Sequence, residues 1–286
     1  MAHTHLITVP QLQALQASGA PLAVFDCSFD LADPAKADAL FEGKHIAGAR
    51  QAHLERDLSA HSPAEAVNGG RHPLPKRELF AQTLGRLGFG NGMQAVVYDR
   101  NGGNYCGRLW WMLKWAGHDA VALLDGGLQA WEAAGGATES GPAPAAPAAT
   151  FALRPALRRL VLTDEVAARL EQPTQTLIDA RGAPRYRGEV EPLDPVAGHI
   201  PGALNRPFTD NFDADGRFKP PAQLRAEFDR LLAGRDPAGV VHHCGSGVST
   251  VPNVIAMELA GYAPTALYGG SWSEWSRTPG LPVAKG

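Results

Sequence analysis

Val240-Val241-His242-His243-Cys244-Gly245-Ser246-Gly247-Val248-Ser249-Thr250-Val251-Pro252 reads as an apolar strand that runs into a cysteine, turns on two spaced glycines and enters a helix. Glycines at Gly245 and Gly247 let successive backbone N–H groups turn inward. A helix N-terminus adds the positive end of its dipole, so the loop has the makings of an anion cradle. Pro252 suits the first helical turn, where its missing N–H would have lacked an intrahelical acceptor anyway. Both features favour a thiolate at Cys244, which makes it a candidate nucleophile without a neighbouring base. The competing reading is a buried free thiol, as most isolated cysteines are. A dinucleotide fingerprint fails at its third position, where Thr250 stands in place of Gly or Ala, and no acidic residue ends the next strand near Tyr268.

The same pattern occurs twice. Val24-Phe25-Asp26 matches Leu177-Ile178-Asp179, and His45-Ile46-Ala47-Gly48-Ala49 matches His199-Ile200-Pro201-Gly202-Ala203 at an offset of 154 residues. Val96-Val97-Tyr98-Asp99 then matches Val240-Val241-His242-His243 at an offset of 144, which also pairs Trp131 with Trp275. The first copy therefore carries about ten extra residues, around Ser59 to Pro75. Gly135 to Thr150, rich in Ala, Pro and Gly, reads as a semi-stiff linker. The expected division is a first domain over 1–135, a linker over 136–150 and a second domain over 151–286. Each copy alternates apolar strands with helices, among them Lys76 to Leu87, Tyr105 to Ala116, Pro221 to Leu232 and Thr163 to Leu170, the last with Thr163 as N-cap. That alternation predicts an α/β fold with a mostly parallel sheet covered by helices on both faces. Ligands in such sheets sit outside the carboxyl ends of the strands, the address of Cys244. At the 144 offset Arg100 stands where the second copy has Cys244, so the first copy lacks the nucleophile. Cys27 and Cys106 read as packing thiols, and the tryptophans as core.

Composition narrows the partners. Across 286 residues, 26 Lys+Arg face 29 Asp+Glu, a formal charge of −3, which argues against nucleic acid or an anionic membrane as a partner. No apolar run approaches the roughly 20 residues of a spanning helix, and the opening Met1-Ala2-His3-Thr4-His5 does not read as a secretory signal. Three scattered cysteines make neither a disulfide framework nor a Cys-x-x-Cys site. The expectation is a cytoplasmic protein with free thiols, no metal and no cofactor.

Taken together, Cys244-Gly245-Ser246-Gly247-Val248-Ser249, Asp179-Ala180-Arg181, Gly198-His199-Ile200-Pro201-Gly202-Ala203 and Tyr268-Gly269-Gly270-Ser271-Trp272 resemble the rhodanese superfamily. The chain looks like its two-domain sulfurtransferases, with tandem rhodanese-like domains of which the second is catalytic. The Cys-Gly-Ser-Gly-Val loop resembles the branch that uses 3-mercaptopyruvate. The resemblance implies that Cys244 takes sulfur from that small-molecule donor, releases pyruvate and passes a persulfide sulfur to cyanide or a thiol acceptor, either a small thiol or a thioredoxin-like protein. It implies substrate contacts from Gly245, Gly247, Val248, Ser249 and Arg185, and proton handling by Ser246 with His72 and an acid, for which Glu55 stands where the family has Asp. A second family arginine after Glu-Pro is replaced by Leu193. Thiosulfate as sulfur donor, and a sulfur-relay or binding module without turnover, stay open. A rhodanese-related phosphatase is disfavoured, because Cys244 to Thr250 offers no arginine to close a phosphate nest.

Overall fold

The structure is a computed structural model and describes residues 2–143 and 146–286. The chain divides into two compact units, Met1–Glu65 with Pro75–Leu157 and Ala214–Arg217, and Ala66–Leu74 with Arg158–Asp213 and Phe218–Gly286.

The first unit contains β1 (Leu6–Ile7), α1 (Val9–Ser18), β2 (Leu22–Asp26), α2 (Lys36–Gly43), β3 (His45–Ile46), β4 (Arg50–Gln51), α3 (Arg77–Arg86), β5 (Gln94–Tyr98), α4 (Cys106–Trp115), β6 (Val121–Leu124), α5 (Gly127–Ala133) and β7 (Thr138–Glu139). Five of its strands form a parallel sheet in the order β1-β6-β5-β2-β4. The second unit contains β8 (Arg159–Val161), α6 (Thr163–Ala168), β9 (Thr176–Asp179), α7 (Ala183–Tyr186), β10 (Leu204–Asn205), α8 (Pro221–Leu232), β11 (Val240–His243), α9 (Val251–Leu259), β12 (Ala266–Tyr268) and α10 (Ser271–Trp275). Its sheet is again parallel, in the order β8-β12-β11-β9-β10. The two orders are the same once the repeats are aligned, which is the architecture expected from the doubled pattern.

Central strands are buried along almost their whole length, polar ends included, because helices cover both faces and leave no solvent side. In the first unit Ile7, Val24, Val96, Ala122, Leu124 and Trp131 form one buried cluster; in the second, Val161, Leu177, Val241, Ala266, Trp272 and Trp275 form its counterpart. Trp110 and Trp111 are also fully buried in α4, so the aromatic residues are core as expected. Thr163 differs from expectation. It is the first residue of α6 and not its cap, because its hydroxyl is taken by the Tyr268 hydroxyl at 2.9 Å.

Within the stretch expected as a linker, 136–150, β7 pairs antiparallel with β3, and the Ala149 N–H donates to the Gly85 carbonyl at 2.9 Å. Residues 144 and 145 of that stretch lie outside the described residues. No helix among the described residues is long and apolar enough to cross a membrane.

The strand-to-helix loop of the first unit shows what became of the repeat without a cysteine. Asp99, one residue past β5, folds its buried carboxylate into the loop. Oδ1 accepts the N–H groups of Asn101 and Gly103 at 2.8 and 2.9 Å, and Oδ2 those of Tyr105 and Cys106 at 2.8 and 2.9 Å. The cradle thus carries its own anion, and Arg100, in the position of the cysteine, turns away to Ser28 and the Lys44 carbonyl. Cys27 and Cys106 are buried beside it. Burial first, then Asp26 and Asp99 respectively, hold their thiols well above the usual range. Four N–H groups depend on one carboxylate, so Asp99→Ala is expected to destabilise this unit by about 3 kcal/mol, read as a lower urea midpoint, with Asp99→Asn affected less.

Candidate active site

The second unit uses the same loop differently. β11 ends at His243, Cys244 follows, and α9 begins at Val251. Where the first copy has Asp99 this one has His243, so no carboxylate enters the loop. The backbone N–H groups of Gly245, Ser246, Val248, Ser249 and Thr250 find no acceptor among the described residues. Gly247 has φ +73°, and a Cβ there would run into the Gly269 carbonyl. The loop therefore requires glycine at that position.

A loop whose donors stay open is held by its neighbours. The Cys244 N–H donates to Ser271 Oγ at 3.1 Å, and that hydroxyl donates to the Tyr268 carbonyl at 2.9 Å. The Trp272 N–H then donates to the Cys244 carbonyl at 3.0 Å and the Ser273 N–H to the Gly245 carbonyl at 2.8 Å. Ser271 adopts φ +53° to do this, a left-handed conformation uncommon for serine and typical of functional loops. Cys244 itself is 1% exposed.

Ala66–Leu74, part of the extra segment of the first repeat, is folded with this unit. It closes on itself through the Val67 N–H to the Leu74 carbonyl, at 2.8 Å. It is docked by the Gly69 N–H to Glu274 Oε1 at 2.9 Å and the Arg71 N–H to Ser273 Oγ at 3.1 Å. Gly70 has φ +93°, and a Cβ would lie 2.5 Å from Ser273 Oγ, so a side chain there would undock the segment. Its docking brings His72 Nδ1 to 2.8 Å from Ser246 Oγ, and His72 is 4% exposed. A buried hydroxyl–imidazole pair replaces the solvated loop histidine that a polar segment suggests.

Arg185, on α7, and Arg71 converge on the loop. The point where a Cβ of Gly245 would sit is 2.9 Å from Arg71 Nη2 and 3.6 and 3.7 Å from the terminal nitrogens of Arg185. Buried acids hold both. Glu191 accepts from Arg185 Nε and Nη2 at 3.2 and 2.6 Å, and Asp194 accepts from Arg71 and from Arg277 at 2.7 Å. Deeper in, Arg181 donates to both oxygens of Asp179, with Nη2 to Oδ2 at 2.7 Å, and to the Gly198 carbonyl. It also lies 4.7 Å over the Trp272 ring. Burial opposes the Arg181 charge, but Asp179 beside it, then Glu191 and Cys244, hold it above its ordinary range. Burial likewise opposes ionisation of Asp179 and keeps His243 neutral, leaving Arg181 as the partner that draws the Asp179 carboxyl below its usual range. His199 anchors its turn, with Nδ1 2.8 Å from the Tyr186 carbonyl oxygen.

Cys244, Gly245, Ser246, Gly247, Val248, Ser249, His72 and Arg185 thus all belong to the second unit. Glu55 belongs to the first, where its N–H donates to His53 Nδ1 at 3.2 Å. Arg71, Ser271, Glu191 and Asp194 were not singled out from sequence. Arg71 had one available signal, its place beside His72 in the extra segment.

A doubled parallel α/β domain, in which only the second copy leaves its loop donors open around a cysteine, defines a tandem protein with a division of labour between repeats. The chain belongs to the rhodanese family, whose rhodanese-like domain matches residues 8–134 and again 162–278. A probable 3-mercaptopyruvate sulfurtransferase from Pseudomonas aeruginosa is 47% identical over 287 residues and covers 100% of both chains. A putative thiosulfate sulfurtransferase from Mycobacterium tuberculosis is 39% identical over 287 residues, covering 98% of this chain and 97% of its own. The solved structure of 3-mercaptopyruvate sulfurtransferase from Leishmania major matches with a TM-score of 0.81 at 29% identity, covering 97% of this chain and 76% of that one.

His242, two residues before Cys244, is completely buried, and neither ring nitrogen has a hydrogen-bond partner. Burial, then the neighbouring His243 and Arg206, push its pKa down from 6.5 to about 3. The unfolded chain therefore binds a proton below about pH 6.5 that the folded chain refuses until about pH 3. Stability is fully present above 6.5 and falls as the pH drops through that window. In urea titrations over pH 7 to 4, His242→Leu is expected to flatten the acid loss by up to one proton; an unchanged slope contradicts the assignment.

Proposed function

We propose that the chain is a sulfurtransferase that takes sulfur from 3-mercaptopyruvate onto Cys244 and passes it to a thiol. The observation that carries this reading is the convergence of the Arg71 and Arg185 guanidinium groups on Gly245, one residue past the cysteine. Such a pair suits a carboxylate, and Arg71 supplies a second guanidinium in a chain that has Leu193 after Glu-Pro. The name of the Pseudomonas aeruginosa relative supports the same substrate.

In this mechanism Arg71 and Arg185 hold the carboxylate, and the Cys244 thiolate attacks the substrate sulfur. The sulfur–carbon bond breaks, its electron pair goes to C3 as the enolate of pyruvate, and protonation there releases pyruvate. Cys244 keeps the sulfur as a persulfide. Open N–H groups of Gly245, Ser246, Val248 and Ser249 stabilise the negative charge as it forms and leaves, and Gly247 gives the loop its turn. Ser246 donates a hydrogen bond to the substrate carbonyl as the enolate develops, while His72 orients that hydroxyl. An acceptor thiolate, from a small thiol or a thioredoxin-like protein, attacks the outer sulfur and frees Cys244; cyanide does the same as thiocyanate forms. This is covalent catalysis with ping-pong kinetics, set in the cytoplasm where thiols stay reduced.

Thiosulfate is the second reading, supported by the name of the Mycobacterium tuberculosis relative. Intact-protein mass after brief incubation with each sulfur donor separates the two. The expected result is a gain of one sulfur, about 32 Da, from 3-mercaptopyruvate and none in Cys244→Ser. Arg71→Ala and Arg185→Ala are each expected to raise KM for 3-mercaptopyruvate about 10- to 100-fold, the scale of one charge-assisted contact. Sulfur gained only from thiosulfate overturns the choice of substrate, and sulfur from neither overturns the enzyme reading in favour of a relay module.

A further inference from the structure

Four guanidinium groups and three carboxylates make one ion-paired cluster beside the Cys244 loop. Asp179 pairs with Arg181, Glu191 with Arg181 and Arg185, and Asp194 with Arg71, Arg185 and Arg277. The three acids are buried, with side chains 0%, 3% and 0% exposed. Glu274, occupied by the Gly69 N–H, joins none of these pairs. Burial keeps His243, 4.0 Å from Asp179, uncharged. The cluster therefore carries one net positive charge.

Asp194 has a distinctive place in it. Arg71 and Arg185 are the two groups that reach Gly245, and among the described residues Asp194 is the carboxylate that pairs with both. Its distance to Arg185 Nη2 is 3.5 Å, while Glu191 takes the closer contacts of that side chain. Asp194 thus ties the two arms of the fork together, and its charge leaves the cluster with one net positive charge instead of two.

We propose that Asp194 is the residue that sets sulfur-donor selectivity, holding Arg71 and Arg185 as a pair while limiting their charge to that of a singly charged 2-oxo acid, against a dianion such as thiosulfate. The inference rests on the sulfurtransferase reading above and deepens it. The sequence argument for 3-mercaptopyruvate rested on the resemblance of the Cys-Gly-Ser-Gly-Val loop; the structure adds two guanidinium groups, which alone would suit a dianion, and then a shared acid that lowers the net charge of the cluster by one.

The test is the second-order rate of Cys244 persulfide formation, followed by intact mass, with thiosulfate and with 3-mercaptopyruvate. Asp194→Asn keeps the shape and removes the charge. One unit of charge at about 7 Å and an effective dielectric near 20, reduced by screening, shifts a dianion relative to a monoanion by about tenfold. The thiosulfate-to-mercaptopyruvate rate ratio is therefore expected to rise about tenfold, and Asp194→Glu, which restores the charge, to return it towards the wild-type value. A purely structural role lowers both rates together and leaves the ratio where it was.

Arg277→Gln supplies the opposite sign and an independent check should Asp194→Asn fail to fold. Arg277 donates to Asp194 and to the Ser273 carbonyl, and its side chain is 44% exposed, so its loss is expected to lower the ratio about threefold. Both sulfur donors loading the wild-type protein, with a ratio unmoved in either variant that folds, overturns this inference alone. Neither donor loading the wild-type protein overturns the sulfurtransferase reading and this inference with it.

Discussion

A loop that keeps its own N–H groups free for a ligand cannot hold itself in shape. Backbone donors buried without acceptors cost more than a hydrogen bond returns, so such a loop persists only where other parts of the fold fix it. The two repeats resolve this in opposite ways. In the first, Asp99 satisfies four donors from inside, and the loop is closed. In the second, the donors stay open, and the support comes through the loop carbonyls and the Cys244 N–H, which are tied to Ser271, Trp272 and Ser273. The left-handed backbone of Ser271 is the local cost of that arrangement.

The charges follow from the same constraint. A site meant for an anion gathers positive groups, and positive groups at a buried loop need acids to keep them there. Asp179, Glu191 and Asp194 are all buried, and each bonds at least one arginine. Arg181 stays inside, against Trp272 and Asp179, whereas Arg71 and Arg185 reach the loop. Burial thus separates Arg181, which supports the loop from inside, from Arg71 and Arg185, which stay partly exposed beside it. The neutral, unpartnered His242 on the adjoining strand belongs to the same economy: an uncharged ring is tolerated where a charged one is not.

Much of this was legible in the sequence because it is local or periodic. The doubling shows in matching landmarks, the sheets in apolar runs of strand length alternating with helices, and the Cys244 loop in the strand–glycine–helix order. His72 was legible only through resemblance, and its burial against Ser246 was not legible at all. Arg71 and Asp194 meet across 123 residues, and no periodicity links positions that far apart. Asp99 reads in the sequence as the polar end of a strand, since nothing local reveals that its carboxylate turns back into the loop. Thr163 had the composition of a cap but lost its hydroxyl to Tyr268, a partner 105 residues away.

Residues 66–74 are numbered with the first repeat and folded with the second. A gene cut in the linker yields a carboxyl-terminal fragment with an intact sheet and its cysteine, yet without Arg71 and His72. The ancestral duplication is therefore no longer divisible along its own seam. An insertion in one copy has come to serve the other, and that debt ties the two halves into a single unit of inheritance.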